Sequence, residues 1–183
     1  MTKRTITKSG QQGAAYYETK IKADGTALVR AWRDYPAGVP PTTAQRVWQI
    51  AANFGGIKTI FPSALSVYVT YPDASDTAIN TVRYGTFPPP DPNSPLSPKN
   101  WLSFAVEQLI DLDEQARRLT YISTLGLPVK NYRSVMEVTG EDACRLTWTS
   151  SFAIVPGQEE FVGILAVILT GGANQIATAL GLK

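Results

Sequence analysis

Histidine is absent from this chain and cysteine occurs once, as Cys144. Without imidazole there is no Ser-His-Asp or Cys-His apparatus, and no zinc site built from imidazole and thiolate. One cysteine closes no intramolecular disulfide, which points to a reducing, cytoplasmic home. No metal and no cofactor is expected. Charge is sparse: 17% of residues, with 17 Lys and Arg against 15 Asp and Glu, a net +2. So even a balance argues against nucleic acid as a partner. The N terminus lacks an apolar stretch of signal-peptide type. Residues 161–182 carry no charge and invite comparison with a membrane anchor. Thr170, Asn174, Gln175 and Thr178 interrupt them, however, and Gly171-Gly172 weakens the middle, so a helix packed on a sheet is expected and no membrane span.

What is present fits one globular domain. Of 183 residues, 44% are hydrophobic, enough for a sizeable core. Residues 1–13 read as a flexible lead and 14–183 as the domain. A hairpin is expected over Tyr16–Trp32, turning at Asp24-Gly25. Ala44–Phe54 has helical spacing, stopped by Gly55-Gly56, and a short second helix precedes Pro62. Strand runs follow: 65–71, 78–84, 102–110, 118–125, 131–138 and 145–154. Most are separated by short polar turns such as Asp111-Leu112-Asp113-Glu114 and Gly140-Glu141-Asp142. The Pro-rich stretch Phe87–Asn100 suits neither helix nor central strand, and serves as a lid or a plain surface loop. A long helix over Glu159–Leu180 closes the chain. Hairpin connections imply an antiparallel sheet, and segregated helices make the class α+β.

Alternation along the strands places side chains. Tyr132, Ser134, Met136 and Val138 share one face; Asn131, Arg133 and Glu137 share the other. Leu146, Trp148, Ser150, Phe152 and Ile154 align likewise, as do Leu119, Tyr121, Ser123 and Leu125. Such apolar faces dotted with hydroxyls suit the wall of a ligand cavity or, equally, an ordinary core with satisfied hydroxyls. Glu107 stands between Ala105 and Leu109. Buried, it would have a raised pKa and act as an acid or base; at the rim it would pair with Arg or Lys. Lys58 is a candidate for an anionic ligand group, or a solvated surface lysine. In the last helix, Ile164, Ile168 and Ile176 are spaced for one buried face.

The order Val47-Trp48, Phe54-Gly55-Gly56-Ile57, Pro62, Arg83, Glu107-Gln108-Leu109, Asp111-Leu112-Asp113, Arg118-Leu119-Thr120-Tyr121, Pro128, Asn131-Tyr132-Arg133-Ser134-Val135 and Trp148 resembles the START-like superfamily. The likeness is to its polyketide cyclase/dehydrase and lipid-transport group. It implies a helix-grip fold: a curved antiparallel sheet of about seven strands around a long C-terminal helix, with two short helices after the first strands. It also implies an internal cavity for a small hydrophobic molecule. Locally, the Asn131–Val135 stretch resembles the plant abscisic-acid receptors, although Gly126-Leu127-Pro128-Val129 stands where those carry a His-Arg-Leu latch. On this resemblance Lys58, Arg83, Tyr121, Ser123, Ser134, Trp148, Ser150, Ile164 and Ile168 are expected to line the ligand. Glu107 and Tyr132 are the expected catalytic pair. Two functions stay open: a cyclase- or dehydratase-like enzyme, and a non-catalytic carrier or sensor.

Overall fold

The computed structural model describes residues 5–37, 43–62, 64, 66–70, 79–86 and 104–182. Its elements in chain order are β1 (Ile6–Gln12), β2 (Ala15–Ile21), β3 (Thr26–Tyr35), α1 (Thr43–Ala52), α2 (Ile57–Ile60), β4 (Ser66–Thr70), β5 (Val82–Thr86), β6 (Phe104–Asp113), β7 (Arg118–Leu125), β8 (Val129–Gly140), β9 (Cys144–Ile154) and α3 (Phe161–Ala179). The strands form one antiparallel, curved sheet in the order β1-β2-β3-β9-β8-β7-β6-β5-β4. All neighbours but one are joined along the chain; β3 pairs with β9 and so ties the N-terminal hairpins to the C-terminal ones.

The sheet has nine strands where about seven were expected. Part of the excess comes from residues 6–12, placed in a flexible lead by the sequence reading. They pair with β2 along its whole length, from Ile6↔Ile21 to Gln12↔Ala15. Their polar sequence, ITKSGQQ, is that of an exposed edge strand rather than of a core strand, which is why hydrophobic alternation does not reveal it. Helix α1 ends at Ala52, two residues before the expected Phe54. There the Asn53 side-chain oxygen accepts the Gly56 N–H at 2.7 Å and turns the chain. The connection between the expected strand runs 65–71 and 78–84 and the loop Phe87–Asn100 lie outside the described residues.

Register stacks side chains into rows on the inner face. One row runs Val29, Ser150, Ser134, Tyr121, Leu109; the next runs Ala31, Trp148, Met136, Leu119, Leu112. Glu107 lies opposite Ser123 on one side and opposite Arg83 on the other. Register shifts in β6, and in β8 between Lys130 and Arg133, mark bulges that bend these strands. At the β7–β8 turn Gly126 has φ +98°, and an added Cβ would collide with the Phe104 carbonyl oxygen, so only glycine fits.

Helix α3 packs on this inner face. Its backbone approaches β3 and then β2 most closely, because Ala15, Ala27 and Ala31 are small and fully buried there. At Gly172 an added Cβ would stand 2.7 Å from Trp148 Cζ3 and 3.1 Å from Ile60 Cγ2, so the missing side chain lets α2, α3 and the indole meet. The helix is long and apolar enough to cross a membrane by length and composition, yet 61% of that stretch is buried within the fold. Its hydropathy is that of a core helix, because the sheet supplies its apolar surroundings.

A polar clamp fixes α3 to the first strands. Arg33 Nη1 donates to Asn174 Oδ1 at 2.6 Å, Asn174 Nδ2 donates to the Gln12 carbonyl at 2.7 Å, and Thr170 Oγ1 donates to Gln12 Oε1 at 2.6 Å. Tyr35 adds a hydroxyl donated to the Ala173 carbonyl at 2.9 Å. The edge strand β1 thus holds the middle of α3 through Gln12.

Candidate functional site

Apart from the α3 clamp, the described inner face is apolar except where β5 to β9 bring a group of polar side chains together. At its centre Ser150 Oγ lies 2.9 Å from Ser134 Oγ and 3.0 Å from the Tyr132 hydroxyl. Trp148 Nε1 donates to Ser134 Oγ at 2.9 Å and to the Tyr121 hydroxyl at 3.0 Å. The same parity that aligned these residues in sequence brings them into contact, since residues two apart on a strand meet partners directly across. Tyr121 and Tyr132 are 1% and 4% exposed, so their hydroxyls satisfy each other's neighbours rather than water. Burial, reinforced for Tyr132 by the Glu107 charge, pushes that phenol up to about 12. Burial raises Tyr121 well above the usual tyrosine range, with the Tyr132 and Glu107 charges adding to it.

Beside this network sits an ion pair. Arg83 donates from Nε and from Nη2 to Glu107 Oε2, each at 2.7 Å. Its Nη1 donates to the Phe54 carbonyl at 2.9 Å. The guanidinium carbon lies 4.0 Å from the Phe54 ring centroid and 5.1 Å from that of Tyr121. So Arg83, expected from the resemblance to line the ligand, is held in this structure by Glu107, the Phe54 carbonyl and two rings. The two sequence expectations for Glu107 merge: the carboxylate lies on the inner face and is also paired with an arginine. An acid–base role must therefore work from within an ion pair, not from an isolated carboxylate in apolar surroundings.

The remaining candidates divide. Ser123 stands across from Glu107, but its hydroxyl turns to the Val106 and Leu125 carbonyls at 3.2 and 3.3 Å. Lys58 is exposed on α2, whose buried residues are Ile57 and Ile60, so it stands on the side of the helix turned away from the group. Ile164 is buried and Ile168 half-buried, on the flank of α3 beside the inward series Leu165, Leu169 and Ile176. Cys144 is buried, and desolvation raises its thiol to about 11, which makes it a poor nucleophile.

Sequence reasoning did not reach Phe54, whose ring and carbonyl both hold Arg83. The aromatic row runs on through Phe152, which the sequence reading aligned with Trp148 and Ser150 and which lies 6.1 Å from Tyr132, to Phe161, 5.6 Å further on, which that reading did not single out. The acidic turn after β6 serves structure: Glu114 accepts the Trp48 indole N–H and Asp113 accepts the Ala116 N–H. The turn thereby anchors α1 to the strands.

Comparison with known proteins gives a family and a fold. A sequence model of the family described as polyketide cyclase / dehydrase and lipid transport matches residues 38–181. No curated protein matches the chain significantly in sequence. Among solved structures, a point mutant of norcoclaurine synthase from Thalictrum flavum, in complex with a transition-state analogue, superposes with a TM-score of 0.63. It is 18% identical, over 85% of this chain and 94% of that one. The same synthase in complex with dopamine and hydroxybenzaldehyde gives a TM-score of 0.62 at 19% identity, covering 84% and 85%. The protein XoxI from Bacillus cereus gives 0.62 at 20%, covering 84% and 94%. At these identities the likeness is one of fold.

Proposed function

Because this chain belongs to the polyketide cyclase/dehydrase and lipid transport family, we propose that it binds a small hydrophobic organic molecule between the curved sheet and α3 and acts on it as a cyclase- or dehydratase-like enzyme. The observation that carries this reading is the Arg83–Glu107 pair, set beside Tyr121 and Tyr132 on a largely apolar part of the inner face. Replacing such a pair by apolar residues is often neutral or stabilising, so its presence points to use. Glu107 takes the role of proton acceptor and Tyr132 that of proton donor to a ligand carbonyl. Binding in a fixed conformation, with the chain of the ligand folded by the apolar walls, supplies much of the rate. A synthase of this fold, solved in complex with dopamine and hydroxybenzaldehyde, supports the binding of a small organic molecule. The domain is further read as cytoplasmic, with its single cysteine buried and reduced.

A non-catalytic carrier is the second reading. The same geometry gives it one specific support: the hydroxyls of Tyr121 and Tyr132 are hydrogen-bonded within the protein and hard to ionise, which suits orienting a ligand more than moving protons. Native mass spectrometry of gently purified chain, against a denatured control, tests the shared claim. A co-purifying apolar molecule, or saturable uptake of Nile red, is expected; failure of both overturns ligand binding. Glu107→Gln then separates the two readings. Loss of turnover with retained binding is the enzyme's result, and unchanged rates remove Glu107 from the chemistry.

A further inference from the structure

Glu107 holds an acceptor that pairing inside the fold leaves unused. Both guanidinium contacts fall on Oε2. Oε1 takes no hydrogen bond from any described residue, and the Glu107 side chain is 15% exposed, against 6% for Arg83. Ser123, directly opposite in register, has turned its hydroxyl to main-chain carbonyls and gives Glu107 nothing. Arg83 is the reverse case. Three of its five N–H groups are engaged, those on Nε and Nη2 by Glu107 and one on Nη1 by Phe54; the Phe54 and Tyr121 rings lie against it, and its side chain is only 6% exposed. A ligand reaching this pair therefore meets the more exposed anionic acceptor ahead of the buried cationic donor.

The charge balance narrows the ligand further. The pair is neutral as a whole. A ligand carboxylate would face the open oxygen of Glu107 with the arginine already engaged. A ligand ammonium would have to shed its water for a carboxylate that is already compensated. A neutral O–H loses least on leaving water and gains a charge-assisted hydrogen bond. We propose that Glu107 Oε1 anchors a neutral hydroxyl, phenolic or alcoholic, at the polar end of an apolar ligand and selects it over a carboxylate. The inference rests on the reading that a ligand lies against this face.

Binding of naphthol, methylnaphthalene and naphthoate to the full chain at neutral pH, followed by displacement of Nile red, tests it. Naphthol is expected to bind about tenfold more tightly than methylnaphthalene, the scale of a hydrogen bond to a charged acceptor, and naphthoate more weakly than either. Glu107→Leu is expected to erase the naphthol advantage. Glu107→Gln frees Arg83 of its anion and is expected to raise naphthoate relative to naphthol. Should either variant fail to fold, the wild-type series decides by itself. Equal binding of naphthol and methylnaphthalene, or a naphthol advantage that survives Glu107→Leu, overturns the anchor and leaves ligand binding standing. Failure of Nile red and all three naphthalenes to bind overturns both.

Discussion

Tyr121 and Tyr132 hold their hydroxyls among Trp148, Ser134 and Ser150, and the cost of ionising them there sets an alkaline limit on the fold. An unfolded tyrosine titrates near pH 10. The folded Tyr132 does so at about 12, so the native state keeps its proton longer than the unfolded one. The resulting stability is fully present below pH 10 and falls as pH rises toward 12, by about 2 kcal/mol for this tyrosine alone. Urea midpoints measured across that window should show the decline, and Tyr132→Phe should flatten it. The Arg83–Glu107 pair makes a second residue-scale prediction. Glu107→Leu leaves the guanidinium buried with one carbonyl and two rings, and should cost roughly 2–3 kcal/mol in urea unfolding. The double variant Arg83→Met/Glu107→Leu should recover much of that loss. Equal losses in the single and double variants would mean that the pair is not coupled.

Among the elements, α3 and the strands it touches show why small residues sit where they do. Gly172 faces Trp148, Ile60 and Phe61 at distances that admit no further carbon. Gly172→Ala should therefore destabilise by about 1–3 kcal/mol, the usual cost of overpacking, and Trp148 fluorescence should report the displaced ring. Gly171→Ala is the control, since nothing lies within 4 Å of its added Cβ. The same scale shows where pattern reading succeeds and fails. Strands β8 and β9 were legible because burial alternates along them; β7 was legible in its middle, though Thr120 is buried between Leu119 and Tyr121 and Leu125 is exposed. Strand β6 was expected as the run 102–110, but its inward face was not legible, since bulges beside Glu107 and Ile110 break its period and both of its faces are partly accessible. Strand β1 was missed because an edge strand of polar residues has no buried face to advertise.

In the whole molecule, stability should be graded from the centre of the sheet outward. Strands β3, β7 and β9 have two partners each and fully bury Tyr35, Tyr121, Trp148 and Phe152, whereas β4 and β1 are edges. Hydrogen exchange should be slowest in β9 and its neighbours and fastest in β4 and β1. The clamp from Gln12 to Thr170 and Asn174 adds one exception: the end of β1 should exchange more slowly than its start. Removing residues 1–12 should lower the urea midpoint while leaving the Tyr121–Trp148–Ser134 network and ligand binding in place. Loss of binding in that truncation would show that the clamp also shapes the site.

By itself the sequence determined the class of the fold, the direction of the strands, the inward face of β7 to β9 and the core character of α3. Each follows from local periodicity and composition, which act between residues close in the chain. Only the tertiary structure decided which polar groups meet. Arg83 reaches Glu107 through the β5–β6 register, Phe54 reaches Arg83 across the turn after α1, and Lys58 is carried to the exposed side of α2 by the burial of Ile57 and Ile60. Arg33, Asn174, Gln12 and Thr170 form their clamp from three distant parts of the chain. Such pairings depend on the relative placement of separate elements, which packing of the apolar core fixes and no short-range pattern encodes.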